Sequence, residues 1–244
     1  MKSLIDRFNR YYLQQRFFPN WLSLFINPFF FIRVELKKAV ERFAVELDGN
    51  LLDYGCGSKP YQTLFTKVGS YVGVDLENEG HDHSTEEIDF FYDGVTLPFS
   101  DETFDSLFSS EVLEHVPDID QSLKEIRRVL KPQGKVLITV PFVWTEHELP
   151  FDFRRFTQGG IEKIMSDHGF EVLRSQKVGS YVGVIFQMIM MYLHTLLYTS
   201  NKYLNLVINA FFIAPVAIVG IFFNLILPKR YNWYFNTVIL ASKK

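Results

Sequence analysis

The chain has 244 residues, 48% of them hydrophobic and 22% charged, with a formal net charge of −3 at pH 7. That length supports a sizeable core, the composition excludes a disordered or collagen-like chain, and the mild acidity excludes the basic footprint of a nucleic-acid partner. A lone cysteine, Cys56, excludes an intramolecular disulfide and fits a reducing compartment.

Residues 1–33 carry Lys2, Arg7, Arg10, Arg16 and Arg33 against Asp6 alone, a local net charge of +4, among ten aromatic side chains from Phe8 to Phe31. Basic plus aromatic is the composition of a segment lying at a lipid headgroup interface; a helical lid packed on the domain is the other reading. Pro19 and Pro28 break the apolar run and no small-residue cleavage site follows, which argues against a signal peptide. Strands and helices then alternate: strands at 51–55, 71–76, 88–93 and 104–110, a helix at 119–130, a strand at 135–142, a helix at 161–170, a strand at 171–176 and a seventh strand at 234–244. Such alternation predicts an α/β fold, a Rossmann-like, mostly parallel sheet with helices on both faces.

Before the last strand the pattern changes. Val178 to Leu227 contains one formally charged side chain, Lys202, which splits the block into uncharged segments 178–201 and 203–227. Each is about 36 Å long if helical, enough to cross a hydrocarbon core of about 30 Å. Arg174 and Lys177 precede the block and Lys229 and Arg230 follow it, so a hairpin with both ends on the cytoplasmic side satisfies the positive-inside bias. Gln187, His194 and Thr195 interrupt the first segment, and a buried helical pair at an oligomer interface is the alternative.

The turn after the first strand reads LLDYGCGSKPY. Gly55 and Gly57 let the backbone approach a ligand closely, and Asp75, closing the next strand, suits the two hydroxyls of a ribose. Together these point to a nucleoside-containing cofactor. A nicotinamide fingerprint would need Gly at position 60, where Pro60 has no N–H and a fixed φ.

With VGVDL, DGVTLPFSDETFDSLFSSEVLEHVPD and LKEIRRVLKPQGKVLITVPF, that loop resembles class I S-adenosylmethionine-dependent methyltransferases (methyltransferase type 11-like) over residues 48–176 and 234–244. The resemblance implies a seven-stranded sheet with its last strand antiparallel, and S-adenosylmethionine as cofactor. It implies that Asp53, Gly55, Cys56 and Gly57 line the methionine part, Asp53 reaching the amino group. Asp75 would take the ribose hydroxyls with Leu76 beside the adenine, Asp93 the adenine amino group with Gly94 adjacent, and Ser109, Ser110 and Glu111 would close the methionine side. One departure is that Ser58-Lys59-Pro60 stands where this loop often has a third glycine.

The acceptor pocket is expected near strands four and five, where WTEHELPFDFRRFT follows strand five. His147 is the first choice for a catalytic base, its ordinary pKa lying near neutrality. Asp152 would orient it or contact the acceptor, and Arg154 and Arg155 would hold an anionic group; a salt-bridged loop that shapes the domain is the competing reading. His115, in SSEVLEHV, is either structural or lines the pocket. No metal site is expected: His81-Asp82-His83 lacks further ligands, His168 reads as a helix-end cation, and Cys56 belongs to the cofactor turn.

The sequence thus divides into a basic aromatic helical segment (1–47), a methyltransferase domain (48–176 and 231–244) and a hydrophobic helical membrane-associating insertion (177–230). The expected function is methyl transfer from S-adenosylmethionine to a small-molecule or lipid-linked acceptor at the cytoplasmic face of the membrane, with membrane lipid as a partner. The rival is a cofactor-binding membrane adaptor without methyl transfer.

Overall fold

The computed structural model describes residues 11–12, 14–76 and 88–244. Its helices are α1 (Phe30–Ala44), α2 (Ile119–Val129), α3 (Gln158–Asp167), α4 (Tyr181–Leu197) and α5 (Lys202–Ile226). Its strands are β1 (Gly49–Tyr54), β2 (Val68–Leu76), β3 (Phe90–Tyr92), β4 (Phe104–Ser110), β5 (Leu130–Pro141), β6 (Phe170–Val178) and β7 (Asn236–Lys243). The chain forms two compact units: residues up to Lys38 with Val178–Phe235, and Ala39–Lys177 with Asn236–Lys244.

The second unit holds one seven-stranded sheet in the order β3-β2-β1-β4-β5-β7-β6. The pairings among β1 to β5 are parallel, and β7 runs antiparallel against β5. This is the Rossmann-like sheet expected from the alternating pattern, with an antiparallel last strand and helices around it. Leu51, Leu52, Leu107 and Leu137 are fully buried and β7 is buried along its whole length, as sheets covered on both faces require. In α2, the Asp118 side chain accepts a bond from Gln121 N at 3.0 Å, while Asp120 in the first turn and Arg127 and Arg128 in the last complement the helix dipole. Leu123, Ile126 and Val129 then bury one stripe in the same core cluster as Leu107, Val136 and Phe170.

All the strands but β4 differ from the sequence pattern at one end or both, and two of the differences have a visible cause. β1 stops at Tyr54 rather than 55 because Gly55 turns away at φ +72°. β5 begins at Leu130, which pairs with Phe104 before an irregularity, and Lys135 rejoins the register opposite Ser106. The order of strands reverses between β1 and β4, so their carboxyl ends flank the crevice where sheets of this kind bind ligands.

The first unit is helical. Within it, α4 has 17 residues, about 26 Å, which corrects the expectation of two equal crossings. The helix ends at Leu197 because Tyr198 leaves it in extended conformation and Asn201 caps the next one. Among the described residues one helix is long and apolar enough to cross a membrane by length and composition: α5, with 25 residues, mean hydropathy 2.5 and 33% of its most apolar stretch buried. Pro215 falls inside α5, where a proline removes one backbone bond and crowds the preceding turn; a π-turn at Asn209–Ile213 immediately precedes that site.

Gln187, which interrupts the apolar pattern, is fully buried. Its Oε1 accepts from Phe31 N (3.0 Å) and Ile32 N (3.4 Å), and its Nε2 donates to Pro28 O (2.7 Å). It thus satisfies the orphan donors at the start of α1. A Cβ on Gly220 would lie 2.6 Å from Phe186 Cγ and 2.8 Å from Phe31 Cζ, so the glycine is what permits this close approach.

Candidate active site

The turn after β1 is built on backbone conformations that favour glycine. Gly55 (φ +72°) and Gly57 (φ +45°) are left-handed, and a Cβ on Gly55 would lie 2.4 Å from Val112 Cγ2. The N–H groups of Gly55 and Cys56 both donate to Val74 O (2.9 and 3.2 Å). Gly57 N donates to Asp75 Oδ2 at 2.7 Å and Leu76 N to Asp75 Oδ1 at 2.8 Å. The glycine turn and the acid closing β2 are therefore one constellation.

Asp53 lies behind this turn, 3% exposed. Its Oδ2 accepts from Tyr71 Oη at 2.5 Å. Burial, opposed by that bond, pushes its carboxyl up to about 7. Cys56 is also buried, and desolvation raises its thiol well above the ordinary range, which makes it inert rather than nucleophilic. Asp93 is on the surface, its Oδ1 accepting from Val95 N and Thr96 N (both 2.9 Å), which holds the carboxyl below its usual value. Gly94 beside it is left-handed, and a Cβ there would lie 3.0 Å from Leu76 Cδ1, so Leu76, Asp93 and Gly94 gather at the ends of β2 and β3.

Other expected residues are turned into the framework. Ser109 Oγ donates to Tyr54 O at 2.9 Å, and Ser110 Oγ meets Thr139 Oγ1 at 2.9 Å. Glu111, itself left-handed, accepts from Thr139 Oγ1 (2.8 Å) and Asn236 Nδ2 (2.6 Å). These three side chains tie β1, β4, β5 and β7 together at the carboxyl edge. Lys59 takes the left-handed conformation at φ +50° and sends its Nζ to Asp89 Oδ2 at 2.6 Å. A Cβ on Gly73 would lie 2.3 Å from Lys59 Cε and 2.7 Å from Cys56 Sγ. Gly73 is thus a site residue that sequence reasoning missed: its bare backbone is the path of the lysine that replaces the third loop glycine.

The loop after β5 closes the other side. Arg155 donates through Nη1 and Nη2 to both oxygens of Asp152 (2.6 and 2.7 Å) and to the carbonyls of Arg154 and Thr145, while Nε reaches Trp144 O at 3.4 Å. All five of its N–H donors are spent on the protein. Arg154 donates to the carbonyls of Val116 and Pro117. The two arginines therefore build the loop, as in the salt-bridged reading, and do not present free forks to an anion. Asp152, paired with Arg155, is held far below the usual carboxylate range and accepts from His147 N at 2.9 Å. His147 Nδ1 lies 3.3 Å from Asp152 Oδ2, and burial followed by the neighbouring His115 lowers its pKa.

His115 Nε2 faces His147 Nε2 at 3.2 Å, so the structure brings together two histidines that the sequence placed 32 residues apart. Beside them is Glu114, missed at the sequence level, fully buried with neither carboxylate oxygen hydrogen-bonded among the described residues. Burial, then Glu111, raises its carboxyl. Its only sequence signal is an acid inside the apolar run Val112-Leu113-Glu114-His115-Val116. His168 caps α3 and pairs with Asp120 Oδ1 at 3.1 Å, while His81-Asp82-His83 lies outside the described residues.

The family described as a methyltransferase domain matches residues 52–138, which include the glycine turn, Asp75, Asp93 and the Glu114–His115 pair. An uncharacterised protein of Methanocaldococcus jannaschii is 30% identical over 182 residues, 73% of this chain and 79% of that protein. A demethylmenaquinone methyltransferase of Lactobacillus johnsonii is 33% identical over 114 residues, 41% of this chain and 47% of that enzyme; the chain thus spans less than half the length of this relative of named activity. A phosphoethanolamine N-methyltransferase 2 of Haemonchus contortus, solved with S-adenosyl-L-methionine, shares the fold at a TM-score of 0.54 and 20% identity, over 91% of this chain and 56% of that one. The chain belongs to the methyltransferase-domain family.

Proposed function

We propose that the protein transfers a methyl group from S-adenosylmethionine to a lipidic or lipid-linked acceptor at the cytoplasmic membrane surface. The observation that carries this reading is the joined constellation of the glycine turn, Asp75 and the buried Asp53 at the reversal of strand order. The donor set fits the cofactor. A carboxylate behind the turn suits an ammonium, Asp75 suits a vicinal diol, and exposed Asp93 with Leu76 suits an adenine edge and face. Bound there, the cofactor supplies an already activated methyl group on a sulfonium.

The chain's own residues then bind, orient and exclude water. Asp53 holds the ammonium, Asp75 fixes the ribose, and the left-handed turn brings backbone close to the methionine part. Ser109, Ser110 and Glu111 act indirectly by fixing the strand ends. The acceptor is placed against the Glu114–His115–His147 cluster, with Asp152 and Arg155 as the clamp on His147.

The membrane part of the proposal rests on α5 and the N-terminal segment. Phe211, Phe222, Leu225 and Ile226 are all more than half exposed, an apolar surface larger than scattered single residues would give. Lys202 starts the helix, and Lys229 and Arg230 follow it, suited to anionic headgroups. The lipid-like acceptor draws support from the named menaquinone relative. The test is incubation of full-length protein and membrane extract with methyl-labelled S-adenosylmethionine. Label in organic-extractable lipid is expected; stoichiometric cofactor binding with no labelled lipid would overturn the reading in favour of an adaptor.

A further inference from the structure

We propose that Glu114, His115 and His147 form a binding site for a divalent transition-metal cation of the zinc class. The two strand ends that carry the residues are neighbours, since Ser110 of β4 pairs with Thr139 of β5. Their ligand atoms lie within 4.8 Å of one another.

The hydrogen bonds around the two rings set their tautomers. His115 Nδ1 lies 2.8 Å from Phe151 O, and His147 Nδ1 lies 3.3 Å from both Thr145 O and Asp152 Oδ2. The carbonyls have no proton to give, and Asp152 is a carboxylate bound through both oxygens to Arg155. Each ring therefore carries a proton on Nδ1, and when both rings are neutral two bare Nε2 atoms point at each other across 3.2 Å. Two lone pairs at that separation repel unless a cation sits between them. Glu114 Oε1 is 3.8 Å from His115 Nε2, in a side chain that is fully buried and unbonded at both oxygens among the described residues. Leaving a buried group of this kind unsatisfied is destabilising, so the fold tolerates it where a ligand offsets the cost.

Two of the three ligand–ligand separations approach those around a metal. Ligand atoms about 2.0–2.1 Å from zinc in tetrahedral geometry lie about 3.3 Å from one another, against the 3.2 and 3.8 Å observed. The outer contacts match as well: metal-bound histidines donate their other N–H to a carbonyl or carboxylate, as both rings do here. Two nitrogens and one carboxylate leave a fourth position open, the pattern of catalytic rather than structural zinc. Glu148, with Oε2 at 3.8 Å from His115 Nε2 and mostly exposed, stands at the rim.

A dication on one carboxylate and two neutral imidazoles leaves a net charge of +1, which favours an acceptor with an ionisable hydroxyl. This last step rests on the methyl-transfer reading. The cation lowers the hydroxyl's proton affinity, and its proton passes to solvent, so His147 serves as ligand and not as base.

The test is metal binding by chelator-stripped full-length protein, read by competition with a chromophoric chelator, by elemental analysis and by the visible spectrum of the cobalt(II) form. One equivalent of zinc is expected, with affinity lowered about 100-fold or more in His147→Ala and Glu114→Gln. His81→Ala/His83→Ala should bind as the wild type does. Circular dichroism and S-adenosylmethionine titration of each variant separate misfolding, and failure of the cofactor reading, from loss of metal. No stoichiometric zinc in folded wild type, unchanged affinity in both cluster variants, or loss with the His81/His83 pair would each overturn the site; in the first case the two imidazoles share a proton instead.

Discussion

Replacing Asp53 with asparagine should make the cofactor-free protein more stable at neutral pH and a poorer binder. The Asp53 carboxyl is pushed from 3.8 up to about 7 by burial, roughly a thousandfold change in proton affinity, or about 4 kcal/mol. Because the folded value is raised, the stability tied to this group is fully present below about pH 4 and is lost as pH rises through about 7. The asparagine amide carries no charge to desolvate, and its oxygen can still accept from the Tyr71 hydroxyl that now bonds Asp53. The stability of Asp53→Asn minus that of the wild type should therefore be near zero or slightly negative at about pH 4.5. It should rise to about 2–4 kcal/mol at about pH 8, after allowance for an imperfectly placed amide. Urea unfolding at several pH values reads this difference directly. S-adenosylmethionine binding should weaken about 10- to 150-fold, since a charge-assisted hydrogen bond worth about 1.5–3 kcal/mol is lost. A stability difference that stays flat between about pH 4.5 and pH 8 would refute the desolvation argument.

Three further perturbations follow from single contacts. Gly55→Ala places a Cβ at 2.4 Å from Val112 Cγ2 in a left-handed backbone; it should cost about 2–4 kcal/mol, with Val112→Ala restoring the part due to the clash in thermal unfolding of the double variant. Gln187→Ala strips Phe31 N, Ile32 N and Pro28 O of their buried partner, and should cost about 2–4 kcal/mol in denaturant unfolding. Phe222→Asp with Leu225→Asp, both on the exposed side of α5, should lower flotation with anionic vesicles about tenfold or more while leaving S-adenosylmethionine affinity unchanged. Equal flotation would remove α5 from the membrane contact.

What the sequence made visible is the part fixed by local pattern. β4 falls at Phe104–Ser110 as the apolar run predicts, and the glycine turn and Asp75 are recognisable because a tight turn and a strand-ending acid leave a spacing signature. Gln187 shows the opposite case: locally it breaks an apolar segment, but its partners lie at Pro28, Phe31 and Ile32, more than 150 positions away. The arginines fail for the same reason. Arg154 and Arg155 look like free anion-binding forks until the carbonyls of Val116, Pro117, Trp144 and Thr145 are brought around them. Glu114 was invisible because one acid among apolar residues has no periodicity, and its meaning comes from a histidine on another strand's loop. The apolar block was half legible. Composition marks the block, whereas helix length depends on where Tyr198 breaks and Asn201 caps.

The proposed function stands on an S-adenosylmethionine site formed by the β1 turn and the β2 acid. Calorimetric titration of the full-length protein with S-adenosylmethionine at about pH 8, beside Asp75→Ala, tests it most directly. A single site is expected in the wild type, and at least about tenfold weaker binding in the variant, since both the ribose contact and the Gly57 bond are lost. Absence of binding to folded wild-type protein, or equal affinity in Asp75→Ala, would contradict it.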